Sequence, residues 1–161
     1  MKTINRIMAC VDFSDYSLET IESALAIGKG QQIDIVLFHV IDSKDLDIVE
    51  NVSRHLPEQI TVEKYVKTIE TQRRQILEKM IAEHFEEHRA RLTILFQVGI
   101  PYQAILAAVA TEKIDLVIIA SKGRSNLIGT LHGSTAEKVF RHLPVPVLSV
   151  RNPKKFGRQR I

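Results

Sequence analysis

The sequence predicts an α/β domain: a five-stranded parallel open twisted sheet with helices on both faces. Two observations carry this. Short apolar runs alternate with segments of helical periodicity in the order βαβαβαβαβ. The runs are nearly continuous rather than apolar at every second residue, the pattern of strands covered on both sides. Crossovers between such strands are right-handed. No internal repeat or linker divides the chain, so residues 1–151 read as one domain followed by a basic tail, residues 152–161.

The elements follow in order. Thr3–Val11 is a β-rich apolar run ending at Asp12. Ser14 or Asp15 can cap a helix that places Leu18, Ile21, Leu25 and Ala26 on one side, and Gly28-Lys29-Gly30 stops it. IDIVLFHVI, residues 33–41, is the second strand. Asp42–Gln59 is acidic, mixed and ends near Pro57, and reads as a loop or a broken short helix. Thr61–His88 carries Tyr65, Val66, Ile69, Ile76, Leu77, Met80, Ile81, His84 and Phe85 as one stripe among charges, an amphipathic helix. Arg91–Val98 is the third strand, broken by Gly99. Pro101 suits a first helical turn and Tyr102–Thr111 continues it. Leu116–Ala120 is the fourth strand, Leu131–Arg141 covers the last helix, and Pro146–Val150 is the fifth strand.

Composition narrows the function classes. The chain has 161 residues, 45% hydrophobic and 25% charged, ordinary for a globular domain with a full core. No apolar run approaches the roughly 20 residues of a membrane span, and the N-terminal segment lacks the pattern of a signal peptide. The one cysteine, Cys10, has no partner for an internal disulfide and reads as a buried thiol in an apolar run. Together these features predict a cytoplasmic protein. The net charge of +3 is uneven: five of the 22 basic residues lie in the last eleven, which hold no acid, leaving 17 basic against 19 acidic elsewhere. One short basic run without interleaved aromatics favours a solvated terminus over a nucleic-acid contact.

The chemistry concentrates after the fourth strand. Leu116–Ala120 empties into a loop rich in Gly, Ser and Thr, and a helix opens at Gly133-Ser134-Thr135. Gly123, Gly129 and Gly133 let backbone N–H groups approach a ligand where a Cβ would obstruct. Free N–H groups and the dipole at a helix start favour an anion, so strand, loop and helix make a candidate phosphate cradle. The same residues also suit an ordinary βα loop with an N-cap at Ser134 or Thr135. Lys122 and Arg124 flank Gly123 and can neutralise phosphate charge, or stand as solvated loop charges. In a doubly wound sheet ligands bind beyond the carboxyl ends of the strands, where strand order reverses. The loops at Asp12–Ser14, Val40–Asp42 and Ser121–Gly133 therefore converge as candidates.

These residues resemble the universal stress protein family over nearly the whole chain, from Lys2 to Arg151. The most specific match is to the spacing G-x2-G-x9-G-S/T of its nucleotide-binding members: Gly123, nine residues, then Gly133-Ser134. VDFSDYS at Val11–Ser17 and LFHVID at Leu37–Asp42 resemble the family's other two binding segments. The resemblance implies a Rossmann-like fold, of the adenine nucleotide alpha hydrolase-like kind, that binds ATP or AMP. It places the base and ribose with Asp12 and Val40, and the phosphates with Gly123, Gly133, Ser134 and Thr135. Val11, Ser14, Ala120, Lys122 and Arg124 complete the candidate set, with Mg2+ entering through the phosphates near Asp12. It also implies a homodimer joined through the last strand, Pro146–Val150, whose apolar edge invites pairing. Ala120 departs from the motif, standing where the first glycine would be. A position needing φ > 0 would be obstructed by its methyl group, whereas a last strand residue would accept it.

No P-loop or dinucleotide glycine motif occurs. His84–His88 matches H-x-x-E-H, an inverted metalloprotease pattern, but His84 continues the apolar stripe and His88 falls where the helix ends, so a metal site is not expected. Beyond Asp12 no base for hydrolysis is evident. The expectation is a nucleotide-binding stress or signalling module with an unidentified signalling partner. The competing readings are a dimeric interaction protein with a vestigial cleft, and a slow ATP hydrolase.

Overall fold

The computed structural model describes residues 3–56, 58, 60–121 and 134–151. Five strands, β1 (Arg6–Cys10), β2 (Asp34–Asp42), β3 (Leu92–Gly99), β4 (Leu116–Ala120) and β5 (Val147–Val150), form one sheet in the order β3-β2-β1-β4-β5. Every pairing is parallel. The helices are α1 (Ser17–Ile27), α2 (Ser43–His55), α3 (Val62–His84), α4 (Pro101–Thr111) and α5 (Ser134–His142). Strand order reverses at β1, which lies between β2 and β4, so the switch point of this sheet falls between the ends of β1 and β4.

The core is two layers, one on each face, because successive strand residues point to opposite sides. Ile7 and Ala9 of β1, Ile35 and Leu37 of β2 and Ile118 of β4 pack with Ile21 and Ala24 of α1 and with Leu77 and Ile81 of α3. Met8, Val36, Phe38, Val117 and Ile119 pack on the other face with Ala104, Ile105, Ala108 and Val109 of α4 and Ala136 and Val139 of α5. The alternation explains the continuous apolar runs: both faces of β1, β2 and β4 are buried.

Several boundaries and one element differ from the sequence expectation. Asp42–Gln59 is not a loop or a broken short helix: residues 43–55 form the regular helix α2. Asp42 caps it, its carboxylate accepting from Lys44 N at 3.0 Å. No residue of α2 is buried, which left no apolar stripe facing a core to announce it. The expected cap of α1 at Ser14 or Asp15 is absent. The N-cap position is Tyr16, with no side-chain cap; the Ser14 hydroxyl donates to Asp12 and accepts from Tyr16 N at 3.3 Å, just ahead of the helix. Of the long stripe on α3, Leu77 and Ile81 are buried within the helix and Phe85 just after it, whereas Ile76 is 50% exposed and His84 is exposed. Leu77 and Ile81 are the buried residues of the helix, so periodicity overstated its burial. A 3-10 turn over Glu86–Arg91 then carries the chain into β3.

Candidate functional site

A cleft of about 360 Å³ opens at the carboxyl end of the sheet, over the switch point. Its walls bring together Val11 and Asp12 after β1, Val40 at the end of β2, Ala120 at the end of β4, and Ser134 and Thr135 at the start of α5. Residues more than 120 positions apart in the chain thus share one cavity. The N-terminus of α5 contributes N–H groups that favour an anion. Phe38, Ile105 and Ile119 give the cavity an apolar floor from the second core layer.

Ala120 is the last residue of β4, in register with Val150 of β5. Among the described non-glycine residues only Phe13 and Lys113 have positive φ, so the backbone at Ala120 does not require glycine. Lys122, Gly123, Arg124 and Gly133 lie outside the described residues.

Asp12 organises the turn after β1. Its Oδ1 accepts from Ser14 N at 3.0 Å, from Ser14 Oγ at 2.6 Å and from Ser17 Oγ at 3.4 Å. Ser14 therefore acts as a support for Asp12 and is not in the cleft wall. Between them Phe13 adopts φ 62°, a conformation that costs a non-glycine residue on the order of 1 kcal/mol. The turn tolerates it because three hydrogen bonds to one carboxylate oxygen and the packing of the Phe13 ring hold the loop.

Among the polar residues of the cleft wall, Arg73 and Asp45 were not anticipated from the sequence, and His39 only as part of the LFHVID segment. His39 is 3% exposed. Its Nδ1 lies 2.6 Å from the carbonyl oxygen of Val11, and its Nε2 lies 2.6 Å from Nη1 of Arg73. A carbonyl only accepts and a guanidinium only donates. Nδ1 therefore carries the proton, Nε2 accepts, and the imidazole is the neutral Nδ1–H tautomer. Phe13 and Phe96 meet the ring edge-on at centroid distances of 4.7 and 5.6 Å. The one available signal was a histidine inside an apolar strand run, which needs a polar partner when buried. Which partner it takes depends on α3 crossing over β2.

Cys10 ends β1 at the cleft. The residue is only partly buried, yet its thiol is desolvated, and that effect, with the Asp12 charge second, pushes it up from 9.0 to about 12. The thiolate is the reactive form, so disulfide reagents at pH 8 should modify Cys10 slowly in the folded protein and rapidly in urea. The unfolded thiol ionises first as pH rises, so the stability this group contributes is intact below 9.0 and is lost as pH climbs through about 12. Cys10→Ala should flatten that alkaline loss in urea titrations.

Among the described residues, no group of three or more His, Cys, Asp or Glu side chains could hold a metal ion. His88 pairs with Glu87 at 3.2 Å, and the His84 ring lies obliquely against Phe85.

The family model for universal stress proteins matches residues 3–151. The chain belongs to the universal stress protein family. Universal stress protein MJ0531 of Methanocaldococcus jannaschii is 27% identical over 150 residues, covering 93% of this chain and 84% of that protein. Among solved structures, that of the hypothetical protein MJ0577 superposes with a TM-score of 0.71 at 24% identity, covering 94% of this chain and 98% of the other. A universal stress protein in complex with cAMP superposes with a TM-score of 0.58 at 18% identity, covering 93% and 98%. At these identities the superpositions establish the fold, the parallel α/β sheet of this family. No described helix is long and apolar enough to cross a membrane.

Proposed function

We propose that this universal stress protein binds an adenine nucleotide, ATP or AMP, and acts as a dimeric stress-response or signalling module in the cytoplasm. The observation that carries the reading is the convergence of Val11, Asp12, Val40, Ala120, Ser134 and Thr135 on one cleft at the switch point. The helix start at Ser134 and Thr135 suits the phosphates. Asp12, fixed by its three hydrogen bonds, suits ribose or base donors. Lys122, Gly123, Arg124 and Gly133 would complete the phosphate cradle, and Mg2+ would arrive with the phosphates near Asp12. The complex of a structurally similar family member with cAMP, itself an adenine nucleotide, supports the ligand class.

Binding rather than turnover is the proposed function: of the three carboxylates that line the cleft among the described residues, Asp12, Asp42 and Asp45, the first is engaged by Ser14 and Ser17 and the second by the N-terminus of α2. The dimer would form through β5, an edge strand whose Leu148 is 39% exposed. Residues 1–151 are proposed as the working domain, followed by a basic segment, residues 152–161.

The test is to denature freshly purified protein and separate the released small molecules by ion exchange. Adenine nucleotide near one per chain is expected, and its retention time identifies ATP or AMP. An empty supernatant, followed by no heat on titrating ATP with Mg2+, would replace this reading with that of an interaction protein whose cleft is vestigial. Size exclusion with light scattering on the same sample should give twice the chain mass.

A further inference from the structure

We propose that Arg73 is a ligand-contacting residue at the base end of the cleft, held there by His39, and that its guanidinium donates to a ring nitrogen of the purine. The inference rests on the nucleotide reading above.

Its position comes first. Ser134 and Thr135 mark the phosphate end, beside β4. In the sheet order β2 lies two strands from β4, roughly 10 Å at ordinary strand spacing. That is about the span from a nucleotide's first phosphate to its base. Val40 at the end of β2 and Arg73 of α3 line this far end.

The chemistry of the support comes second. Among the described residues lining the cleft, Arg73 is the one basic side chain, against the carboxylates of Asp12, Asp42 and Asp45. It is not simply a solvated charge. The tautomer of His39 is set from the other side by the Val11 carbonyl, so Nε2 presents a lone pair to Nη1 at 2.6 Å. The imidazole itself is buried and flanked by two phenylalanine rings. A long, flexible side chain is thereby fixed before any ligand arrives, which lowers the entropic cost of binding. A guanidinium carries five N–H donors and no acceptor, so what it takes from a base is an acceptor, and the ring nitrogens of a purine are acceptors.

His39 acts through Arg73 and is a positioning residue. Its removal should reproduce the loss of Arg73, and removing both should cost no more than removing one.

Calorimetric titration of the full-length protein with ATP–Mg2+, adenosine and the 1-, 3- and 7-deaza analogues of ATP tests this. The wild type should bind one deaza analogue about ten-fold more weakly than ATP, the size of one hydrogen bond to a charged donor. Arg73→Met should bind ATP about ten-fold more weakly and no longer distinguish that analogue. His39→Phe should match it, and His39→Gln, which keeps one donor and one acceptor, should recover part of the loss. Far-UV circular dichroism reports whether each variant is folded. Wild-type ATP binding with unchanged affinity in Arg73→Met overturns this inference alone. So does a loss in Arg73→Met that leaves the deaza discrimination in place and spares adenosine, since that places the guanidinium on phosphate. A wild type that binds no nucleotide overturns the preceding reading, and this one with it.

Discussion

Leu77→Ala should lower the unfolding free energy by about 3 kcal/mol, while Ile76→Ala, one residue away, should change it by less than about 0.5 kcal/mol. The two side chains are of similar size and sit on the same helix. Leu77 is 0% exposed in the first core layer, whereas Ile76 is 50% exposed. Truncating Leu77 removes buried methyl groups and leaves a cavity that the sheet cannot collapse into. Truncating Ile76 mostly exchanges one solvated surface for another. Leu77 and Ile81 are the only buried residues of a helix 23 residues long, so the loss falls on the main attachment of α3. A loss of this size is a large share of a domain's net stability. Urea unfolding of the two variants at constant m-value measures it. Equal midpoints for the two would show that α3 is not docked through Leu77. Arg73 lies one helical turn before Leu77, so weakened docking should also loosen the Arg73–His39 contact.

Asp12→Ala should weaken nucleotide binding by about 10- to 100-fold, the value of a hydrogen bond to a charged group. It should also cost about 1 kcal/mol of stability, because the amide and hydroxyl of Ser14 lose their acceptor. Asp12→Asn separates the two effects. Its Oδ1 can still accept from Ser14, so the turn and the positive φ of Phe13 survive, while the negative charge toward the ligand is gone. Its melting temperature should stay near wild type and its affinity should fall between the other two. Wild-type affinity in both variants would remove Asp12 from the site.

Much of the fold was legible in the sequence because its causes are local. Leu116–Ala120 was read to the residue, since five apolar residues between polar turns admit little else. The order of strands and helices followed from alternation of period, and the parallel sheet from runs apolar on both faces. Helix α2 escaped because its stability comes from the Asp42 cap and its neighbours rather than from a buried stripe. The site divided in the same way. Asp12, Val40, Ala120, Ser134 and Thr135 were marked by their places at strand ends and a helix start, and the fold gathers them into one cleft. The pairing of His39 with Arg73 carried no mark, because 34 residues separate them and only the packing of α3 over β2 makes them partners.

The sequence by itself determined what each segment could be: β1 to β5 as strands, four of the five helices, and a glycine-rich segment ahead of α5 as a candidate phosphate cradle. Periodicity, capping and backbone freedom act over a few residues and are written where they act. Only the tertiary structure decided which segments meet. It put β1 between β2 and β4, turned Ser14 from a helix cap into a support for Asp12, and joined Arg73 to Val11 through a buried imidazole. Those outcomes depend on strand order and helix docking, which minimise exposed apolar surface over the whole chain and leave no trace in any single stretch of it.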